Sequence, residues 1–376
     1  MSPPLSARRL RALPRLCLLA PLALLAALPA MAQPAHAADR SETTNQAAPQ
    51  PHTQPHTQPR TLAQWLHRLQ QAARLPAYSG TFVVSAPEGM LASARIWHAC
   101  EAAAPGQPAV ELERVETLSG PPRTTLRRNG EVLILQAGQR PARMQSQASA
   151  NLFHGHVAPG QEEEVARHYS LRVEGQGRVA GLDADIVHLA AKDAWRHDWR
   201  IWSERQTGLV IQTQTLDAQG RVLEQSAFSE LQLLGPARAG ELAARLRQSP
   251  DWQQSAPEDA ARPLRPVSAR AQGWALRSPV AGFVERQCVQ RGMGGHGQAL
   301  MQWVFSDGLA TVSLFLEPHD ERRPRMEGAA RMGATHTLTQ RLPEGGAGGH
   351  WWLTAVGEVP LPTLQAFAQA LERVQP

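Results

Sequence analysis

The chain has 376 residues, 42% of them hydrophobic and 19% charged, which is enough for two cores of ordinary size. Its net charge is +5; removing the first 37 residues, which hold four arginines and no acids, takes it from +5 to +1. Lys192 is the only lysine. A nearly neutral chain of this kind does not present the basic surface of a nucleic-acid-binding protein, so no nucleic-acid partner is expected.

Arg8, Arg9, Arg11 and Arg15 precede an apolar run from Leu16 to Leu28, and Ala30-Met31-Ala32 and Ala35-His36-Ala37 follow as small-x-small cleavage sites. Residues 1–37 therefore read as a secretory signal peptide, with a run too short to span a bilayer. Residues 38–60 are rich in Pro, Gln, Thr and Ala and include a tandem Pro-His-Thr-Gln at Pro51 and Pro55. This predicts a disordered linker, with His52 and His56 solvated instead of holding a metal.

Thr61 opens a helix in which Leu62, Trp65, Leu66 and Leu69 recur at helical spacing, and Pro76 closes it. Strands follow over Ser79–Ser85 and Leu91–Trp97, and again from Leu112. Ser119-Gly120-Pro121-Pro122 forces a corner, because the two prolines lack a ladder donor. Asn129-Gly130 between Thr124–Arg128 and Glu131–Gln136 is a hairpin signal, both residues tolerating positive φ. Gln161–His168 suits a short helix, and further strands are expected over Tyr169–Glu174, Arg178–Ala180, Ala184–Ala190, Trp195–Ser203, Leu209–Leu216 and Arg221–Leu234. In Trp195–Ser203 alternation puts Trp195, His197, Trp199 and Ile201 on one face and Arg196, Asp198 and Arg200 on the other. Successive strands with short turns predict an antiparallel meander covered by the first helix.

Five prolines between Pro236 and Pro266 mark residues 236–270 as a linker, although Glu241–Arg247 has helical character. A second unit over 271–376 contains strands at Gly273–Leu276, Phe283–Arg291, Gln298–Phe305, Leu309–Glu317, Ala334–Thr339 and Trp351–Val356. Ser306-Asp307-Gly308 is a tight turn, and a last helix presents Leu361, Leu364, Phe367, Ala368 and Leu371 on one face. The expected fold class is α+β: an antiparallel sheet with a helix over 61–235, then a smaller α+β domain.

Chemistry-bearing motifs are missing. There is no Gly-x-Ser-x-Gly, His-Glu-x-x-His or Cys-x-x-Cys. Gly292–Gly297 matches Gly-x-Gly-x-x-Gly but precedes a strand, so it reads as a loop, as does Gly345–Gly349. His154 and His156 have no third ligand nearby. No cofactor, metal or catalytic set is expected, and a secreted hydrolase would need a polar triad that the strands do not supply. Cys100 and Cys288 form either a disulfide across the two domains or two buried free thiols.

Ten tryptophans accompany two tyrosines. Trp97, Trp195, Trp199 and Trp202 suit either the lining of an apolar cavity for an acyl chain or plain core packing. With Leu118, Pro121 and Pro122 at the corner they form the candidate lipid-binding set. In the second domain Trp303, Phe305, Asp307 and Trp352 are the candidate partner-binding set, core packing being the alternative for the aromatics.

Five ordered motifs carry a resemblance: Tyr78-Ser-Gly-Thr-Phe-Val83, Glu113-Arg-Val-Glu-Thr-Leu-Ser-Gly-Pro-Pro-Arg123, Asn129-Gly-Glu-Val132, Trp303-Val-Phe-Ser-Asp-Gly-Leu309 and Val356-Gly-Glu-Val-Pro360. Together they resemble the MucB/RseB family, periplasmic regulators of the sigma-E envelope-stress response. The resemblance implies a curved, lipoprotein-carrier-like half-barrel sheet followed by a small C-terminal domain. It also implies binding to the periplasmic part of a transmembrane anti-sigma factor, protection of that factor from regulated proteolysis, and release by lipopolysaccharide or another acylated lipid. Self-association as a homo-oligomer stays open. A periplasmic lipid or lipoprotein carrier is the alternative function.

Overall fold

Thr61 caps the first helix reciprocally: its backbone N–H donates to Gln64 Oε1 at 2.9 Å and its Oγ1 accepts from the Gln64 N–H at 3.2 Å. This capping box fixes the start of α1 (Leu62–Ala72), whose Leu62, Trp65 and Leu66 are buried. The computed structural model describes residues 60–72, 77–101, 109–138, 142–145, 160–254, 265–292, 299–320, 326–342 and 350–375. The expected signal peptide, the linker up to residue 59 with His52 and His56, His154 and His156, the Gly-rich loop past Gly292, and Gly345–Gly349 lie outside them.

Eleven antiparallel strands make the first sheet: β1 (Ala77–Ala86), β2 (Met90–Glu101), β3 (Val110–Thr117), β4 (Arg123–Arg128), β5 (Glu131–Gln136), β6 (Ala142–Gln145), β7 (Tyr169–Val179), β8 (Leu182–Ala191), β9 (Asp198–Glu204), β10 (Val210–Leu216) and β11 (Val222–Leu233). Their order is β6-β5-β4-β3-β2-β1-β11-β10-β9-β8-β7, two meanders stitched together where β1 pairs with β11. The Asn129-Gly130 turn forms as expected, with Arg128 opposite Glu131 and Asn129 at φ 50°. Asn129 Oδ1 also accepts from the Glu111 N–H at 2.8 Å, tying the hairpin to β3. The segment expected as two strands after Tyr169 is the single strand β7, with a register shift between Val173 and Gly175.

One face of this sheet packs on α1. Tyr78, Phe82, Ile96, Leu189, Trp199 and Phe228 enclose Trp65 and Leu66, together with Val165 of α2 (Glu162–His168). The opposite face of β1–β3 is covered by α3 (Pro236–Arg247), where Leu242, Ala243 and Leu246 pack on Ala77, Ala99 and Leu112. This corrects the start of the expected linker. Pro236 stands in the first turn of α3, where a missing N–H costs no hydrogen bond, so it starts the helix and does not break it. A short α4 (Pro250–Gln254) follows, with Trp252 against Leu126 and Leu133.

The remaining strands are β12 (Arg265–Pro266), β13 (Trp274–Leu276), β14 (Val284–Gly292), β15 (Ala299–Ser306), β16 (Thr311–Pro318), β17 (Gly328–Met332), β18 (Thr335–Leu342), β19 (Trp351–Gly357) and β20 (Leu371–Arg373). Seven of them form a second antiparallel sheet in the order β12-β14-β15-β16-β19-β18-β17, and β13 pairs with β20. α5 (Leu361–Ala370) lays Leu364, Phe367 and Ala368 on this sheet against Phe283, Phe305 and Leu314. The two sheets belong to one compact unit, Gln58–Pro376. No described helix is long and apolar enough to cross a membrane.

The disulfide left open by the sequence is not formed. Cys100, in β2 opposite Glu111, and Cys288, in β14 opposite Trp303, are not joined to one another, and burial pushes the Cys288 thiol up to about 11.

Candidate functional site

The two sheets meet at a buried charge. Asp307 sits in the β15–β16 turn, where its Oδ1 accepts from the N–H groups of Leu309 (2.8 Å) and Ala310 (2.7 Å). Its Oδ2 accepts from Arg196 Nη1 at 2.6 Å and from the Tyr169 hydroxyl at 3.1 Å. Both side chains of the Arg196–Asp307 pair are fully buried. Arg196 also donates through Nε to Asp193 at 2.9 Å and through Nη2 to the Ala281 carbonyl at 2.8 Å, and lies over the Phe283 ring at 5.1 Å. These bonds are what make a buried ion pair tolerable. Burial lowers the Arg196 pKa, but its hydrogen bond to Asp193 and the Asp307 charge outweigh that, so it stays raised. Burial, followed by the Asp307 charge, holds Tyr169 well above the usual phenol range.

Two glycines make the approach close enough. At Gly308, φ is +98°, and an added Cβ would stand 2.7 Å from Val165 Cγ2 of α2. At Gly282, φ is +78°, and a Cβ would meet His168 at 2.5 Å and Arg196 Nη2 at 2.7 Å. The Ser306-Asp307-Gly308 signal in the sequence is therefore both a tight turn and a contact point. A second patch lies at the β17–β18 hairpin, where the Ala334 N–H donates to Glu224 Oε2 of β11 at 3.3 Å and Arg331 pairs with Glu88 at the β1–β2 tip. Nearby, His197 stacks on His336 of β18 at 6.2 Å, and His336 Nδ1 bonds the Val359 carbonyl at 2.8 Å. Burial, then the neighbouring His336, lowers His197 to about 4; burial also lowers His336.

The candidate aromatics disperse. Trp199 is buried in the α1-facing core. Trp202 is half-buried opposite Ile186 and beside Gly177, and packs against the edge of the same core. Trp195 does not share the Trp199 face, because β9 begins only at Asp198. Trp195, Arg196 and His197 instead form the turn before it, so Arg196 does not share a strand face with Asp198 either. Trp195 packs on the second core, with its carbonyl accepting from Thr363 Oγ1 at 2.8 Å. The four tryptophans do not line one cavity.

Trp97 meets a cleft on the α3 side of the sheet. About 340 Å³ opens between Ser79, Trp97 and Gln232 of the sheet and Arg238, Leu242 and Arg245 of α3. An adjoining cleft of about 240 Å³ shares Trp97 and reaches Arg95 and Glu230. Leu118, Pro121 and Pro122 are exposed at the β3–β4 corner, which is pinned by the Leu118 N–H to the Ser93 carbonyl (2.8 Å) and the Arg123 N–H to Thr117 Oγ1 (2.9 Å).

Of the candidate partner set, Trp303 and Phe305 are 5% and 4% exposed, so they are corrected from surface to core. Trp352 is also buried and donates through Nε1 to His319 Nδ1 at 2.7 Å. Asp307 faces the first sheet. The sequence missed Arg196 and Tyr169 as its partners, since no local pattern links residues so far apart.

The fold is thus two interlocked lobes, one large antiparallel sheet clasped by helices and one small sheet with a single helix. The chain belongs to the MucB/RseB family: residues 61–246 match its N-terminal domain and residues 268–372 its C-terminal domain. It is 28% identical over 311 residues to the sigma factor AlgU regulatory protein MucB of Pseudomonas aeruginosa, covering 82% of this chain and 90% of that protein. It is 23% identical over 120 residues to the sigma-E factor regulatory protein RseB of Salmonella typhimurium, covering 32% of this chain and 36% of that one. A solved structure of the Pseudomonas aeruginosa MucA/MucB complex shares the fold, with a TM-score of 0.60 and 24% identity over 84% of this chain and 99% of that chain.

Proposed function

We propose that this chain is a periplasmic regulator that binds the periplasmic part of a transmembrane anti-sigma factor, shields it from regulated proteolysis, and lets go when an acylated lipid binds. One observation carries the reading: both lobes match, in order, the two domains of a family that includes a MucB solved in complex with MucA(peri). The lobe junction supports it, because a partner that contacts both lobes is held only while their relation is fixed, and a ligand acts by favouring one arrangement over another. For the lipid, the Trp97 cleft is the candidate seat. Its indole and Leu242 offer apolar surface, and Arg238 and Arg245 are cations suited to phosphorylated headgroups. A lipid or lipoprotein carrier is the weaker reading, since carriage needs one lobe and here the second is locked to the first by a buried ion pair.

The test is protection. The periplasmic domain of the anti-sigma factor is exposed to the protease that makes the first cut, with and without this chain and with lipopolysaccharide added. The proposal expects cleavage to slow with the chain and to recover with the lipid. Cleavage at one rate in all conditions rejects it.

A further inference from the structure

A polar row lies inside the first sheet. The ladder sets Tyr78 of β1, His98 of β2, Glu113 of β3 and Arg127 of β4 side by side on one face, and all four side chains are buried. Glu111, two residues before Glu113 on the same strand, points to the same face. One ligand atom from each of His98, Glu111 and Glu113 lies within 4.8 Å of the others, and His98 Nδ1 stands 3.9 Å from Glu113 Oε2. That Glu113 oxygen makes no hydrogen bond although the side chain is only 4% exposed. A buried carboxylate oxygen without a donor is costly, and a cation is the partner it lacks.

We propose that His98, Glu111 and Glu113 form a divalent metal site, taking zinc or a similar first-row transition ion. One imidazole and two carboxylates make a borderline nitrogen-and-oxygen set, which favours such ions over calcium or magnesium. Bonds of about 2.0–2.2 Å require these ligands to close in only modestly from their present spacing. The surroundings suit a positioned imidazole: the Tyr78 ring stacks on His98 with centroids 4.7 Å apart and planes inclined by 15°. Arg127 stands opposite Glu113 in the ladder without a hydrogen bond to its Oε2, and with the two carboxylates it carries a formal charge of −1 that a divalent ion takes to +1. Bound, the metal bridges β2 and β3 beside the β2 end at Glu101.

The experiment uses the untagged full chain, stripped with a chelator and then equilibrated with Zn²⁺ or Co²⁺. The chain carries 14 histidines, so point variants must locate the ion. The expected result is one tightly retained equivalent and a melting temperature that rises with metal. Binding should weaken roughly tenfold or more in Glu111→Gln and in Glu113→Gln. Glu111 is only half-buried, so its variant keeps the test open should Glu113→Gln fold poorly. Cys100→Ser should bind as the parent does, although Cys100 faces Glu111 across the ladder. No retained equivalent, full retention in the Glu111→Gln variant, or loss in Cys100→Ser alone overturns the assignment.

Discussion

Leu309 and Trp195 trade lobes: Leu309 leaves the β15–β16 turn to join the core of the first sheet, and Trp195 leaves the β8–β9 connection to pack on the core of the second. Each hydrophobic core is thus finished by a residue of the other. Leu309→Ala should cost about 2–5 kcal/mol, the range for emptying a buried leucine site. A loss confined to one lobe's transition in calorimetry would contradict a shared core, which predicts that both lobes soften together.

Asp307→Asn is expected to be among the most damaging single changes in the chain. It leaves the buried Arg196 with only the partly exposed Asp193 as counter-ion, a loss on the order of 3–5 kcal/mol. Replacing both partners with apolar residues of similar size should restore much of that stability, because the desolvation cost disappears with the pair. Denaturant midpoints of the two single variants and the double variant measure this, and strictly additive losses would argue against a coupled pair.

Acid should loosen the junction through His197. The unfolded chain takes up that proton near pH 6.5, whereas the folded chain does so only near 4. Stability from this group is therefore complete above pH 6.5 and is lost progressively as pH falls toward 4, by up to about 3 kcal/mol. Glu224, whose pKa is raised by burial, slopes the other way, so the comparison with His197→Phe isolates the histidine. That variant should show a flatter stability profile between pH 4 and 6.5, and an unchanged slope would rule His197 out.

Two tryptophans that look alike in sequence should behave differently. Trp199, 3% exposed in the core, should unfold the chain when cut to alanine, at a cost of about 3–5 kcal/mol. Trp97→Ala should leave the chain folded and weaken lipopolysaccharide binding, read by titration of the folded variant. Equal lipid affinity in the Trp97 variant would remove the α3 cleft from the proposal.

Local signals carried most of the fold into the sequence. Asn129-Gly130 and Ser306-Asp307-Gly308 each act over a few residues and formed the expected turns, and the helix expected to open at Thr61 does so, capped by Gln64. Only the second half of the helix after Pro236, Glu241–Arg247, was legible, because a proline that would break a helix interior is harmless in its first turn. Strand alternation was extended three residues too far at Trp195, and that error concealed Arg196, the cation of the junction. His98, Glu111 and Glu113 were invisible for a similar reason: they meet across a ladder, where only register brings them together.

The most direct test of the account is a binding titration between the purified chain and the periplasmic domain of the anti-sigma factor, repeated with lipopolysaccharide present. The account predicts saturable binding that weakens when the lipid is added. No binding in either condition, or binding that the lipid leaves untouched, would contradict it.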